Sequence, residues 1–442
     1  MKKITVAKFG GSSLADSNQF IKVKNIIEND NSRTIIVPSA PGKSKNEKHK
    51  ITDLLLMCYQ LASHNLNINE VYQFVEDRFK SIRDDLDINF DIEKELEKIK
   101  VNIISNPNSD YTASRGEYLN ALLLASFLGF EFIDSSKLIF FNNDRTVNYE
   151  YTNNAIRKED IKNKKCVIPG FYGRDFDGKT ITFPRSGSDV SASVIANGVC
   201  ADLYENWTDV NGFLAADPSI VNTKLIKKIT YTELRELSYM GAEVLYEDAV
   251  FPVVKNKIPI NIRNTNDPEN DGTMIISDDD NLSTTPSITG VAGKKGFSVF
   301  NISKTKRSED LTFIRKLVSV FETNDVHIEQ MPSSIDSVSV VVPFNEISSK
   351  QSKIIEEINI YCSPDSITIY HNMSLIAVVG RGMINVKGSS AKIFHALSKE
   401  NINVRMISQG SSEMNIIIGV VEKDFENSIK TICKEFNLTE DA

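Results

Sequence analysis

Apolar and polar positions follow two alternating periods along the first part of the chain. A short β-type run at residues 4–9 is followed by an amphipathic stretch around residues 20–27, then by residues 34–37, which stop at Pro38. This alternation predicts a parallel or mostly parallel sheet covered by helices, with any ligand at the strand ends. Residues 51 to about 104 read as helix, with Leu54, Leu55, Cys58 and Leu61 on one face, and residues 118–127 as another apolar helix. Further strands are expected at residues 166–168, 180–182 and 258–262.

A polar, turn-rich segment, "SDDDNLSTTP" (residues 277–286), ends this pattern. Beyond it the chain repeats itself. Val326 pairs with Ile402, Ile328 with Val404, Val340 with Ile416 and Phe321 with Leu397, all at one offset (402 − 326 = 76). That spacing is too long for a solenoid unit and suits a duplicated small domain. Each copy reads strand, helix, strand, tight polar turn, strand, an α+β module of the ferredoxin-like kind.

Composition narrows the function classes. The chain has 442 residues, 41% hydrophobic and 25% charged, as expected of a globular protein of two or three domains. A net charge of −8, without a long Lys/Arg cluster, argues against nucleic acid as the main partner. The cysteines (Cys58, Cys166, Cys200, Cys362, Cys433) are scattered and odd in number, which reads as reduced thiols and a cytoplasmic location. No stretch approaches the ~20 apolar residues of a membrane span, and Met1-Lys2-Lys3 leads into a strand rather than a signal-peptide run.

Candidate chemistry gathers where strands end. "ITVAKFGGSS" (residues 4–13) puts a lysine in a run that ought to be buried and stops it at two glycines. Consecutive N–H groups without Cβ atoms in the way make a place for an anion; the alternative is an ordinary turn whose lysine snorkels from the sheet edge. Ser39-Ala40-Pro41-Gly42 follows the second strand, but Val37 stands where a P-loop needs glycine. Protein-kinase signatures are absent, as is the GxGxxG of a dinucleotide-binding dehydrogenase. Three more clusters are "SRGEYLNA" (residues 114–121), "FPRSGSDVSASVIA" (183–196) and "NWTDVNGFLAADP" (206–218). Each taken alone can be read as caps and turns. "GRDFDGKTITF" lacks the closing glutamate of a calcium loop, so Asp177-Gly178 reads as a hairpin turn and no metal site is assigned.

Taken together, "KFGGSS", "SRGE", "GFYG", "SGSD", "WTDVNG" and "MGAEVL", in that order and followed by a duplicated module, resemble the aspartate kinases of the amino-acid kinase family, with two regulatory ACT domains. The resemblance implies an α/β fold: an open αβα sandwich over residues 1–283, then two ferredoxin-like α+β ACT domains over 284–364 and 365–442, their bounds open to interleaving. It implies ATP-dependent phosphorylation of the side-chain carboxylate of L-aspartate to 4-phospho-L-aspartate, the first step of lysine, threonine and methionine biosynthesis. A chain ending at Ala442 is expected to be monofunctional, without a fused homoserine dehydrogenase.

Two anions must meet in such a reaction, so cations and N–H groups are needed to hold the phosphoryl charge. The resemblance gives Lys8 and the amides of Gly10, Gly11 and Ser12 to the transferred phosphoryl group. Arg185 would grip the α-carboxylate and Glu117 the α-ammonium, with Ser39, Thr52 and Ser188 adding hydroxyl contacts. Asp189 would organise Lys8 and the metal-bound phosphates, with Mg²⁺ riding on ATP. Thr208, Asp209 and Asp217 would serve the nucleotide, a structural cap being the other reading of Asp217. Leu214, Ser219 and Glu243 depart from the pattern of relatives, which makes Arg263 a candidate substitute cation for ATP. The polar turns holding Ser333, Ser334 and Asp336, and Gln409, Ser411 and Glu413, are expected to bind an amino-acid effector, lysine alone or with threonine. ACT modules pairing edge to edge imply a homodimer or tetramer. Two other readings are a non-catalytic amino-acid sensor on a degenerate kinase fold and an acyl-phosphate kinase acting on glutamate or acetylglutamate.

Overall fold

The computed structural model describes residues 3–43, 48–184, 186–242, 245, 249–278, 287–307, 310 and 312–440. They form two compact units. The first comprises Met1–Phe213, Lys227–Tyr231 and Val244–Asp280; the second comprises Leu214–Ile226, Thr232–Glu243 and Asn281–Ala442.

The strands of the first unit are Thr5–Phe9 (β1), Arg33–Pro38 (β2), Glu131–Phe132 (β3), Cys166–Val167 (β4), Tyr172–Arg174 (β5), Thr180–Thr182 (β6), Leu203–Thr208 (β7), Lys228–Thr230 (β8), Ile260–Asn264 (β9) and Thr273–Ile276 (β10). Eight of them form one sheet in the order β3-β4-β2-β1-β7-β9-β10-β8, parallel except where β10 meets β9. β5 and β6 pair as a separate hairpin, whose turn is closed by the Asp175 carboxylate accepting from the amides of Asp177 and Lys179.

The helices are Ser17–Glu28 (α1), Ile51–Ser63 (α2), Asn69–Asp85 (α3), Ile92–Ser105 (α4), Ser109–Leu128 (α5), Tyr149–Lys158 (α6), Gly187–Val199 (α7), Tyr231–Tyr239 (α8), whose residues from 232 onward belong to the second unit, and Phe251–Val254 (α9). The expected single helical run over residues 51–104 is three helices. Asn65 and Asp87 adopt left-handed φ values of 56° and 50° between them, a conformation that short polar side chains tolerate and that ends a right-handed helix. The apolar faces of these helices (Leu55 and Cys58; Val75 and Phe79; Leu96 and Ile99) meet Phe9 and Trp207 in one buried core. α7 packs on β1, β2 and β7, with α6 and α9 beside it. The sheet thus carries helices on both faces, and its strands are buried from both sides.

The loops after β1 and β2 touch backbone to backbone. A Cβ on Gly11 would stand 2.9 Å from the Ala40 carbonyl, and one on Gly42 2.6 Å from the Gly11 carbonyl carbon, so only glycine allows the approach. Buried Arg78 of α3 fastens the two loops by donating to the carbonyls of Ala15 (3.3 Å) and Gly42 (3.0 Å).

The second unit has strands Gly290–Ser303 (β11), Ser337–Pro343 (β12), Ser366–Val379 (β13), Met406–Ser408 (β14) and Asn415–Val421 (β15), and helices Phe313–Thr323 (α10), Phe344–Ile347 (α11), Gln351–Cys362 (α12), Ser389–Lys399 (α13) and Phe425–Glu435 (α14). The sheet is antiparallel in the order β12-β11-β13-β15-β14. β11 and β13 stand at the repeat offset (366 − 290 = 76) and pair from Gly290↔Val379 to Ser303↔Ser366. Each long strand therefore serves two cores. Phe300 and Ile302 pack with α10 and α12, whereas Val291 packs with Ile376, Val378 and helices α13 and α14. The repeat pairs share environments: Val340 and Ile416 are buried, as are Phe321 and Leu397. One edge differs. The second copy forms β14, but the corresponding segment of the first copy makes only isolated bridges at Gln330 and Ser333, because Pro332 between them lacks the N–H that a continuous ladder needs.

Among the described residues, no helix is long and apolar enough to cross a membrane.

Candidate active site

A cavity of about 380 Å³ opens at the carboxyl ends of β1 and β2, lined by Lys8, Ser39, Thr52, Glu117, Phe171, Phe183, Pro184, Ser186, Gly187, Ser188 and Asp189. Six of the expected residues, Lys8, Ser39, Thr52, Glu117, Ser188 and Asp189, thus converge from β1, the loop after β2, and helices α2, α5 and α7. Arg185 and Glu243 lie outside the described residues; Pro184 and Ser186, the neighbours of Arg185, line the cavity.

Lys8 is 7% exposed, and its Nζ stands 2.5 Å from Asp189 Oδ1. Asp189 lies in the first turn of α7, where the unpaired N–H groups of the helix favour a carboxylate. Asn206 joins the pair: its Oδ1 accepts from Lys8 Nζ (3.2 Å) and its Nδ2 donates to Asp189 Oδ1 (3.0 Å).

Glu117 faces the same cavity from α5. It is 5% exposed, and its Oε2 has no hydrogen-bond partner among the described residues. Burial pushes its carboxyl up from 4.5 to about 8, although the Ala40 amide and the Arg115 guanidinium pull the other way. Arg115 is itself buried, stacked on the rings of Tyr111, Tyr118 and Tyr172 at 4.5 to 5.0 Å. A buried acid with one oxygen left unpaired on a cavity wall is a receptor for a cation.

Another part of the lining is built under strain. Phe171 holds a φ of 78°, rare for a bulky side chain, and is fixed by its amide donating to Ser191 Oγ (3.0 Å). Gly170 beside it permits contact with α7, since a Cβ there would stand 2.7 Å from Ser188 Cβ. The "GFYG" and "SGSD" signatures therefore shape one wall together.

The nucleotide residues expected from sequence fare differently. The Gly10 amide donates to the Trp207 carbonyl (2.9 Å), extending the β1–β7 ladder, so it is not available to a phosphate. Thr208 ends β7, and its hydroxyl donates to Asp209 Oδ1 just beyond the strand (3.2 Å). Asp217 falls in the second unit and accepts from the Ser219 amide and hydroxyl, the capping arrangement. Arg263 lies over the Trp207 ring at 4.7 Å and donates to the carbonyls of Pro268 and Asn270. In the second unit, Ser333, Ser334, Asp336, Gln409, Ser411 and Glu413 are exposed, and Asp336 Oδ1 accepts from the Lys306 amide (3.0 Å).

Sequence reasoning missed Asn206, Phe171 and Arg78. Asn206 stands at the head of the "NWTDVNGFLAADP" cluster, but its place beside Lys8 depends on the pairing of β1 with β7.

Residues 3–264 match the amino acid kinase family and residues 376–436 an ACT domain. Aspartokinase 3 of Bacillus subtilis (strain 168) is 34% identical over 450 residues, covering 98% of this chain and 98% of that protein. The chain belongs to the aspartokinase family. The crystal structure of Clostridium acetobutylicum aspartate kinase matches the enzyme with a TM-score of 0.91 and 51% identity, over 98% of this chain and 99% of that one. E. coli aspartokinase III, in complex with aspartate and ADP, has a TM-score of 0.72 at 22% identity over 98% of this chain and 99% of that one, a likeness of fold.

Proposed function

We propose that the enzyme transfers the γ-phosphoryl group of ATP to the side-chain carboxylate of L-aspartate, with Lys8, Asp189 and Glu117 as the groups that decide the chemistry. The observation that carries this reading is one cavity wall offering an ammonium paired to a carboxylate, and another offering a buried acid whose Oε2 has no hydrogen-bond partner among the described residues. An acceptor carboxylate needs no general base near neutral pH, so the work is charge stabilisation and positioning.

Lys8, with the amides of Gly11 and Ser12, takes the transferring phosphoryl group. Glu117 pairs with the α-ammonium of aspartate, Arg185 with its α-carboxylate, and Ser39, Thr52 and Ser188 supply hydroxyls. Asp189 is the carboxylate beside Lys8 that a nucleotide-borne Mg²⁺ can meet, and the ion when bound neutralises phosphate charge. Thr208 and Asp209 at the end of β7 serve the nucleotide. In an assay of ADP release by the purified chain, aspartate is expected to support turnover, and glutamate and N-acetylglutamate to support little. Equal rates with glutamate would remove aspartate as the substrate, and no release with any acceptor would remove catalysis altogether.

We further propose feedback by lysine, alone or with threonine, at the turn of Ser333, Ser334 and Asp336, with the turn of Gln409, Ser411 and Glu413 supporting an interface between copies in at least a dimer. Hydroxyls, amides and a carboxylate on exposed turns are the set that binds a free amino acid. An effector acts by binding the inactive state more tightly, usually by about 1–3 kcal/mol. A lysine titration should inhibit the wild type and inhibit Asp336→Ala far less. Equal inhibition of both moves the site elsewhere, and no inhibition by any aspartate-derived amino acid removes the mechanism.

A further inference from the structure

We propose that Asn206 is a positioning residue for phosphoryl transfer, holding Asp189 in place when Lys8 is drawn onto the transferring phosphoryl group. The inference rests on the reading of Lys8 and Asp189 given above.

β1 and β7 are adjacent parallel strands in which Lys8 and Asn206 are direct partners, so their side chains leave the sheet side by side on the α7 face. Asn206 is 4% exposed and spends both arms of its amide: Oδ1 accepts from Lys8 Nζ at 3.2 Å, and Nδ2 donates to Asp189 Oδ1 at 3.0 Å. With Lys8 Nζ 2.5 Å from the same Oδ1, the three side chains close a ring. An amide accepts on one arm and donates on the other; a carboxylate of the same shape offers no donor, and an apolar isostere offers neither. Tyr204, two residues earlier and on the same face, donates from Oη to the Asp189 carbonyl (3.2 Å), fixing the first turn of α7 from below.

An ion pair alone makes a poor device for handing a lysine to a phosphate. If Lys8 turned away, Asp189 would be left as a part-buried charge without its partner, a costly state that resists the handover. With Asn206 present, Oδ1 keeps a donor throughout. The carboxylate then neither follows the lysine nor swings against the phosphate oxygens. The benefit is felt when Lys8 binds developing charge, so it belongs to kcat rather than to substrate affinity.

Two near-isosteric variants test this, each compared with wild type at the same pH so that the titration of Glu117, common to all, cancels. Asn206→Leu removes both arms and is expected to lower kcat by about 10- to 100-fold at pH 8 and pH 6 alike, with KM for aspartate and ATP within about three-fold of wild type. Asn206→Asp keeps the acceptor for Lys8 but faces Asp189 with a second carboxylate in place of a donor, so its kcat should fall by a similar factor while KM for both substrates stays within about three-fold of wild type, a split that a misfolded chain cannot show.

Either variant with kcat within about two-fold of wild type at pH 8 overturns the inference, as does a loss confined to KM. Lys8→Ala in the same assay separates the two levels. Normal Asn206 variants beside an inactive Lys8→Ala remove only the role of Asn206, whereas an active Lys8→Ala removes the underlying reading as well.

Discussion

Lys8→Ala is expected to lower kcat by on the order of 10² or more, the scale of losing one pre-positioned charge from the transition state. Lys8 is 7% exposed, so its ammonium acts where water does not screen it, and its contact with Asp189 and Asn206 fixes it before substrate arrives. A bound phosphoryl group gains charge on its outer oxygens as transfer proceeds, and a fixed cation stabilises that state more than the ground state. Steady-state kinetics should accordingly show a fall in kcat much larger than any rise in KM for ATP. A near-normal kcat would withdraw Lys8 from catalysis. Asp189 would be left with Asn206 as its one hydrogen-bonding side chain of this group, so a modest fall in thermal stability should accompany the kinetic loss.

The second large effect concerns Glu117, and it has opposite signs for binding and for stability. Glu117→Gln removes one member of a charge-assisted pair with the α-ammonium of aspartate, so KM for aspartate should rise by about 10- to 100-fold, the equivalent of about 1.5–3 kcal/mol, while KM for ATP stays near wild type. Equal losses for both substrates would mean that the two ends of the cavity have been assigned the wrong way round.

For stability, burial raises the carboxyl of the folded protein from 4.5 to about 8, so the folded state holds a proton that the unfolded chain has released between those values. Wild-type stability from this group is therefore full below about pH 4.5 and is lost as pH rises through 8. Glutamine cannot ionise and escapes that loss. The melting temperature of Glu117→Gln should exceed wild type at pH 9, and the margin should shrink toward pH 5. A margin that is the same at both ends of that range would mean that Glu117 is not held neutral by burial. A binding residue that destabilises the empty enzyme is the usual trade between function and stability.

The sequence alone determined the alternation of strands and helices that opens the first unit, the double-glycine turn after β1, the ordered motifs whose resemblance implied the site residues, and the repeat of 76 residues in the second unit. These are legible because they depend on neighbours in the chain: period, turn chemistry and motif spacing are local, and the motifs were met in one order. Tertiary structure decided the rest. It broke residues 51–104 into three helices at Asn65 and Asp87, a choice that the apolar period does not mark and that the packing of three faces on one core enforces. It spent the Gly10 amide on Trp207 and the Arg263 guanidinium on the Pro268 and Asn270 carbonyls, because strand pairing and loop closure claim donors before a ligand can. It let β11 and β13 span both copies of the duplicated module, since antiparallel pairing at the repeat offset buries each half in a different core. Above all it set Asn206 beside Lys8 across 198 residues of chain, in a register fixed only when β1 and β7 pair. No local pattern encodes that contact, because hydrogen-bond register between distant strands is a property of the assembled sheet.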